Sequence, residues 1–239
     1  MKLDILAFGA HPDDVELGCG GSILKAVNQG YTVGIVDLTQ GELGTRGSAE
    51  IRAKEAQKAT ELLGVSVREN LYFRDGFFTN DEIHQLAVIR VLRKYRPNVV
   101  LCNAIDDRHI DHGKGSQLVS DACFLSGLSK IQTHDRDQQL QSVWRPKQVY
   151  HYIQWKDISP DIVVDISHHL DQKVEVIKAY ASQFYDPASD APSTPISSKN
   201  FLDSVAYRAQ NLGRLGGVSA GEGFTVERTP IIEDFFDLK

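Results

Sequence analysis

The chain has 239 residues, enough for one large α/β domain with a substantial core, and its 41% hydrophobic and 24% charged residues are ordinary for a globular protein. A formal net charge of −6 and the lack of any basic cluster argue against a nucleic-acid-binding surface. The apolar run near the N-terminus is too short to span a bilayer and lacks a signal-peptide cleavage pattern, so a cytoplasmic protein with no membrane partner is expected.

The first half alternates apolar strands with helical patterns. LDILAFGA (3–10) is an apolar run of strand length, and GSILKAVNQG (21–30) reads as a helix ended by Gly30. TVGIVDLT (32–39) is a second strand, and a Ser N-cap with a closing Gly64 marks 48–64 as a helix. NLYF (70–73) is a short third strand, 80–97 a helix stopped by Pro97, and NVVLCNA (98–104) a fourth strand. This order predicts a Rossmann-like three-layer α/β/α fold with a mostly parallel sheet and right-handed crossovers. The second half is irregular: strands at 147–153 and 161–167, helices over 168–182 and about 199–213, and a last short strand near 224–228. No repeat or low-complexity tract divides the chain, so one domain over 1–239 is expected. The Pro/Ser-rich stretch 186–198 is placed to cover a site or to pack on a neighbouring subunit of a homo-oligomer. Cys19, Cys102 and Cys123 are far apart, form no C-x-x-C pair, and read as reduced packing residues.

Parallel sheets of this kind hold ligands beyond the carboxyl ends of their strands, which selects the loops at 10–16, 40–48, 74–79 and 105–113. The first, AHPDD, offers His11, Asp13 and Asp14; the last, DDRHIDHGKG, offers His109, Asp111 and His112. Adjacent carboxylates repel each other and solvate badly beside a core, unless a bound cation holds one of them. Imidazoles and carboxylates in excess form the ligand set of a catalytic zinc site with an open position. Two histidines and a carboxylate also suit Fe(II), so ligand type alone does not choose between Zn2+ and Fe2+.

GCGGS (18–22) with Asp37 suggests a dinucleotide-binding unit, but that fingerprint needs its glycines directly after the first strand. Ala10, His11, Pro12 and Asp13 stand there instead, and carboxylates repel phosphates. The glycines are expected to let the first helix pack closely on the sheet. His151 reads as a core or edge residue of its strand, His168 and His169 as the start of a helix, and His84 and His134 as exposed. Arg52, one turn into the helix at 48–64, is either a solvated charge or a substrate anchor.

AHPDDVELGCGG, GELGTRGSAEIRAKEA and HIDH, in this order and spacing, resemble the zinc-dependent N-acetylglucosaminyl deacetylases, the LmbE-like or PIG-L family. The likeness runs over nearly the whole chain and is looser in the C-terminal third. It implies His11, Asp14 and His112 as zinc ligands, Asp13 as general base, His109 as the group that stabilises the charged intermediate, and Asp111 as the residue orienting a neighbouring histidine. Arg52 matches a family arginine that contacts the sugar. GELGTRGSAEIR is most similar to the bacillithiol-pathway branch, which removes acetate from N-acetylglucosaminyl-malate. Malate brings two carboxylates, which makes Arg46 a second substrate-binding candidate beside Arg52. SAGEGF (219–224) departs from the usual pattern of an aromatic before the acidic residue, so Glu222 is given no role.

The expected chemistry follows. Zinc lowers the pKa of bound water to about 7 and polarises the acetyl carbonyl. Asp13 accepts the proton, and a protonated His109 faces the tetrahedral oxyanion. Loss of Arg52 is expected to raise KM chiefly. Other aglycones (an inositol, or none) and other classes (a metal-binding module, an Fe(II) oxygenase) are separated by metal analysis and substrate assays.

Overall fold

In the computed structural model, residues 1–237 are described; the last two residues of the expected 1–239 domain lie outside them. The first half runs β1 (Ile5–Gly9), α1 (Asp14–Asn28), β2 (Val33–Thr39), α2 (Ala49–Leu63), β3 (Val67–Phe73), α3 (Glu82–Tyr95), β4 (Val99–Cys102) and α4 (Ile110–Leu125). The second half adds β5 (Gln148–Tyr152), β6 (Ile162–Asp165), α5 (Leu170–Lys178), α6 (Lys199–Gly216) and β7 (Gly221–Val226). The seven strands form one sheet in the order β3-β2-β1-β4-β5-β7-β6. The first five are parallel, and β7 runs antiparallel to both β5 and β6. The three-layer, mostly parallel architecture read from the sequence is therefore the one found. Among the described residues no helix is long and apolar enough to cross a membrane.

All seven residues of β2 are buried, as expected of a strand covered on both faces. In β1 the alternation assigns faces: Ala7 joins Val15, Ile23 and Tyr152 on the α1 side, while Leu6 and Phe8 join Val88, Leu92 and Leu118 on the α3–α4 side. Helix boundaries follow their caps. Ser48 Oγ accepts from Ile51 N at 3.3 Å and Gly64 closes α2 at φ 69°; Asp81 caps α3, which ends two residues before Pro97.

Three elements depart from expectation. The first helix begins at Asp14, not at residue 21, and breaks at Cys19, whose φ of −142° is non-helical. Its second segment matches the helix read from sequence, and the amides of Gly21 and Ser22 that this break frees donate to the Glu222 carboxylate at 2.9 and 2.7 Å. Lys173 Nζ balances that carboxylate at 2.6 Å, so Glu222 is a buried cap supplied from 200 residues away. Helix α4 is the second departure. His109 caps it, its first turn carries Asp111 and His112, and Gly113 and Gly115 depress helix propensity, so apolar periodicity begins only at Leu118. Third, β3 starts at Val67, three residues before the stretch read as strand.

The glycines pack α1 on the sheet as expected. A Cβ on Gly18 would lie 2.1 Å from the Tyr152 ring, and one on Gly21 2.8 Å from Ile166. Tyr152 is fully buried and its hydroxyl donates to Phe8 O at 2.8 Å, so close approach is gained without an unsatisfied polar group.

Candidate metal-dependent active site

Strand order reverses between β1 and β4, so the loops leaving their carboxyl ends diverge and open a crevice. The loop after β1 is pinned at its start. Ala10 N donates to Asn103 Oδ1 at 2.8 Å, and Ala10 O accepts from Thr39 N and Oγ1 at 3.0 and 2.8 Å. The chain then turns through Asp13, whose φ of 118° is a left-handed conformation rare outside glycine, and Asp14 becomes the first residue of α1. Across the crevice His109 caps α4 and places Asp111 and His112 in its first turn. They therefore sit on a helix, not on the loop where sequence reading put them.

The two stretches converge. His112 Nε2 lies 3.0 Å from Asp14 Oδ1, and His11 Nδ1 3.4 Å from Asp14 Oδ2. Ligands of a tetrahedral zinc ion with bonds of about 2.0–2.1 Å stand roughly 3.3 Å apart, so these spacings fit such an ion. Ring nitrogens of His11, His109 and His112 also fall within 4.8 Å of one another. Each candidate ligand is oriented from behind. His112 Nδ1 is 2.7 Å from Asp107 Oδ2, which turns Nε2 toward Asp14. His11 Nε2 is 3.1 Å from Asp75 Oδ1 and 3.4 Å from Asp111 Oδ2, which turns Nδ1 the same way. Asp111 is thus beside a histidine, as expected, and is itself held by Gly76 N at 2.7 Å and Lys114 Nζ at 2.6 Å. Both Asp14 oxygens are gripped by amides: Gln154 Nε2 donates to Oδ1 at 2.7 Å and Asn103 Nδ2 to Oδ2 at 3.0 Å.

The electrostatics fit a cation. Burial opposes charge on the two rings, yet hydrogen bonds that the ring donates to Asp111, Asp14 and Asp75 hold His11 well above its usual range. Burial is likewise overcome at His112, which Asp14 and Asp107 raise to about 9. Protons therefore balance these carboxylates, a charge that a bound divalent cation supplies instead. His109 behaves differently. Burial, then His11 and His112, lower its pKa, and its Nδ1 accepts from Asp111 N at 3.3 Å, so a neutral ring carries its proton on Nε2.

Asp13 is buried beside the cluster. Burial pushes its carboxyl up, to about 7, against the pull of Arg52, whose Nη2 is 3.2 Å from Asp13 Oδ2. Arg52 also donates to Gly41 O at 3.1 Å and to Pro12 O. Its guanidinium thus ties the loop after β2 to the strained turn as well as facing the cavity. Arg46 reaches the same cavity and donates to Ser189 Oγ at 2.6 Å. That cavity, of about 450 Å³, runs from the His/Asp cluster past Trp155 to Phe201 and Val205 on α6. Thr194, Pro195 and Ile196 line it, so the 186–198 stretch covers the site.

With this geometry in place, comparison with known proteins is informative. Residues 6–123, which span every residue of both motifs, match the PIG-L family, described as GlcNAc-PI de-N-acetylase. The chain belongs to the PIG-L family. A conserved protein of Thermus thermophilus superposes with a TM-score of 0.84 at 32% identity, over 98% of each chain. The diacetylchitobiose deacetylase of Thermococcus kodakarensis is 28% identical over 190 residues, 75% of this chain and 70% of that protein. The 4-oxalmesaconate hydratase of Pseudomonas putida is 26% identical over 207 residues, 74% of this chain and 73% of that protein. Relatives of this family fold thus include a deacetylase and a hydratase.

Four supporting residues escaped sequence reading. Asp75 lies in the 74–79 loop and Asp107 in the DDRHIDHGKG stretch, so topology had marked both places without separating them from ordinary loop aspartates. Asn103 ends a strand read correctly, and Gln154 follows one. Nothing in local sequence distinguishes an amide that grips a carboxylate 89 or 140 residues away.

Proposed function

We propose that the chain, acting as one domain, is a zinc-dependent N-deacetylase of N-acetylglucosaminyl conjugates, with N-acetylglucosaminyl-malate as substrate in bacillithiol biosynthesis in the cytoplasm. The observation that carries this is Asp13: a buried carboxylate beside, not within, the His11–Asp14–His112 set, at the floor of a sugar-sized cavity. A closed structural site would leave no base there.

Zinc held by His11, Asp14 and His112 supplies Lewis acidity toward the acetyl carbonyl and acidifies water. The protein does the rest. Asp13 takes a proton from the attacking water as the C–O bond forms, and delivers it to the nitrogen as the C–N bond breaks, releasing acetate and a primary amine. Arg52 fixes the Asp13 carboxylate and the turn that carries it. His109, neutral, donates from Nε2 to the oxyanion, a contact worth about 3 kcal/mol of barrier. The imidazolium expected at this position is not required: burial and the neighbouring His11 and His112 rings disfavour it, and the neutral tautomer suffices. Asp75 and Asp111 hold His11, and Asp107 holds His112.

The malate assignment draws support from the cationic lining of the cavity. Arg46, Arg108 and Arg208 all line it. An aglycone with two carboxylates gives these guanidinium groups anionic partners; a second neutral sugar does not.

The test is primary-amine release by metal-stripped protein, with and without added zinc, from N-acetylglucosaminyl-malate, diacetylchitobiose and N-acetylglucosamine. Zinc-dependent release fastest from the malate conjugate is expected. Faster release from diacetylchitobiose keeps the deacetylase and overturns the malate assignment. No release from any of them, with hydration of an unsaturated dicarboxylate instead, overturns the deacetylase.

A further inference from the structure

His151 is buried on β5 and touches three separate elements. Its Nδ1 lies 2.7 Å from Ser116 Oγ on α4, 3.2 Å from Cys102 Sγ at the end of β4, and 3.3 Å from Asn103 O. Its Nε2 lies 3.0 Å from Glu227 Oε1, just past the end of β7. A carboxylate only accepts, so Nε2 carries the proton and Nδ1 accepts the Ser116 hydroxyl; the Asn103 carbonyl, itself an acceptor, only packs against the ring edge.

Two of the three neighbours on the Nδ1 side lead to the metal-ligand cluster. Ser116 stands one helical turn after His112, so a bond to its side chain sets the rotation and depth of the helix that presents His112. Asn103 grips Asp14 Oδ2 and is itself 3.2 Å from Gln154 Oε1, whose amide grips Asp14 Oδ1. The register of β4 and β5 pairs Cys102 with His151, which puts the ring directly beneath this amide pair. No other side chain contacts the β4 end, α4 and the β7 exit together in this hydrogen-bond network of the described residues.

We infer that His151 and Glu227 are positioning residues of the metal centre: through the hydrogen bond to Ser116, and by packing of the ring against Asn103, they fix the separation of His112 from Asp14. The inference rests on the metal-site reading above. Outer-shell partners of metal ligands typically change affinity by 10- to 100-fold, and this pair stands one bond further out. Glu227 belongs to the chain's last described stretch, so the role assigned to it gives the C-terminal segment a part in the catalytic centre.

The experiment is the zinc dissociation constant, by competition with a chromophoric chelator, for the full chain and for His151→Phe, Glu227→Gln and Ser116→Ala. Thermal unfolding of each metal-free protein is measured alongside. Phenylalanine keeps the ring volume and removes both hydrogen bonds. Zinc binding is expected to weaken roughly tenfold in His151→Phe and severalfold in Glu227→Gln and Ser116→Ala, with the Tm increment from saturating zinc reduced in the same order. A merely structural role lowers metal-free Tm and leaves the dissociation constant unchanged, and that result overturns the inference. Should His151→Phe not fold, unchanged affinity in Glu227→Gln and Ser116→Ala overturns it equally. Failure of the unaltered protein to bind zinc would instead sink the metal-site reading itself.

Discussion

The crevice between β1 and β4 and the layer built by β5, β7 and α6 differ in how they make a site. In the first, function is local: His11, Asp13 and Asp14 occupy four consecutive positions, and His109, Asp111 and His112 another four. In the second, every contribution is long-range. Glu222 caps a broken helix 200 residues away, Gln154 holds Asp14 across 140, and His151 meets Glu227 across 76. Chemistry that must meet at one atom favours clustered residues on a tight turn. Support is distributed over whatever strand happens to pass beneath.

If this division is right, substitutions in the crevice lower turnover in folded protein, and substitutions in the supporting layer lower stability first. The largest effect is expected at Asp13. Asp13→Asn removes the base and keeps the shape, so kcat should fall by about 10²–10⁴-fold while zinc affinity stays within a few-fold. Steady-state kinetics with zinc titration checks this, and retained turnover would break the comparison at its centre. Next is Glu222→Ala, which leaves Lys173 buried without its counter-charge and frees the Gly21 and Ser22 amides. A loss of about 3–5 kcal/mol is expected, read by denaturant unfolding, with residual folded protein keeping its kcat.

Legibility in the sequence followed the same division. The βα alternation, the cap at Ser48, the stop at Pro97 and the role of Gly18 and Gly21 were readable because each depends on neighbours in sequence. Helix α4 was not, because its first turn is composed for ligation rather than for helix. Glu222 was left without a role since its partners are backbone amides exposed only by the break at Cys19, which no propensity announces. The 186–198 stretch was readable as either a cover or a subunit contact; that Thr194, Pro195 and Ile196 line the cavity and Ser189 meets Arg46 was not.

Smaller effects sharpen the boundary. Gly18 belongs to both regions, one turn after Asp14 and pressed on Tyr152 of β5. Gly18→Ala forces a methyl to within 2.1 Å of the Tyr152 ring, so α1 or the ring must move. A cost of about 1–3 kcal/mol is expected, as for overpacked cores generally. Because Asp14 rides on the same helix, zinc affinity should fall with it, in contrast to Glu222→Ala, where the helix break absorbs the change.

The last and mildest test uses pH rather than mutation. His112 in the metal-free fold is raised to about 9 from an ordinary 6.5, by Asp14 and Asp107 against the opposing effect of burial. A group with a raised folded pKa stabilises fully below its unfolded value, and that stabilisation is lost as pH climbs through the folded value. The metal-free protein should therefore lose a few °C of Tm between about pH 6.5 and 9. Zinc takes the Nε2 position that the proton held, so saturating zinc should flatten the slope. A slope that persists with zinc bound above about pH 7, where Asp13 has already titrated, would move His112 from the ligand set to the supporting layer.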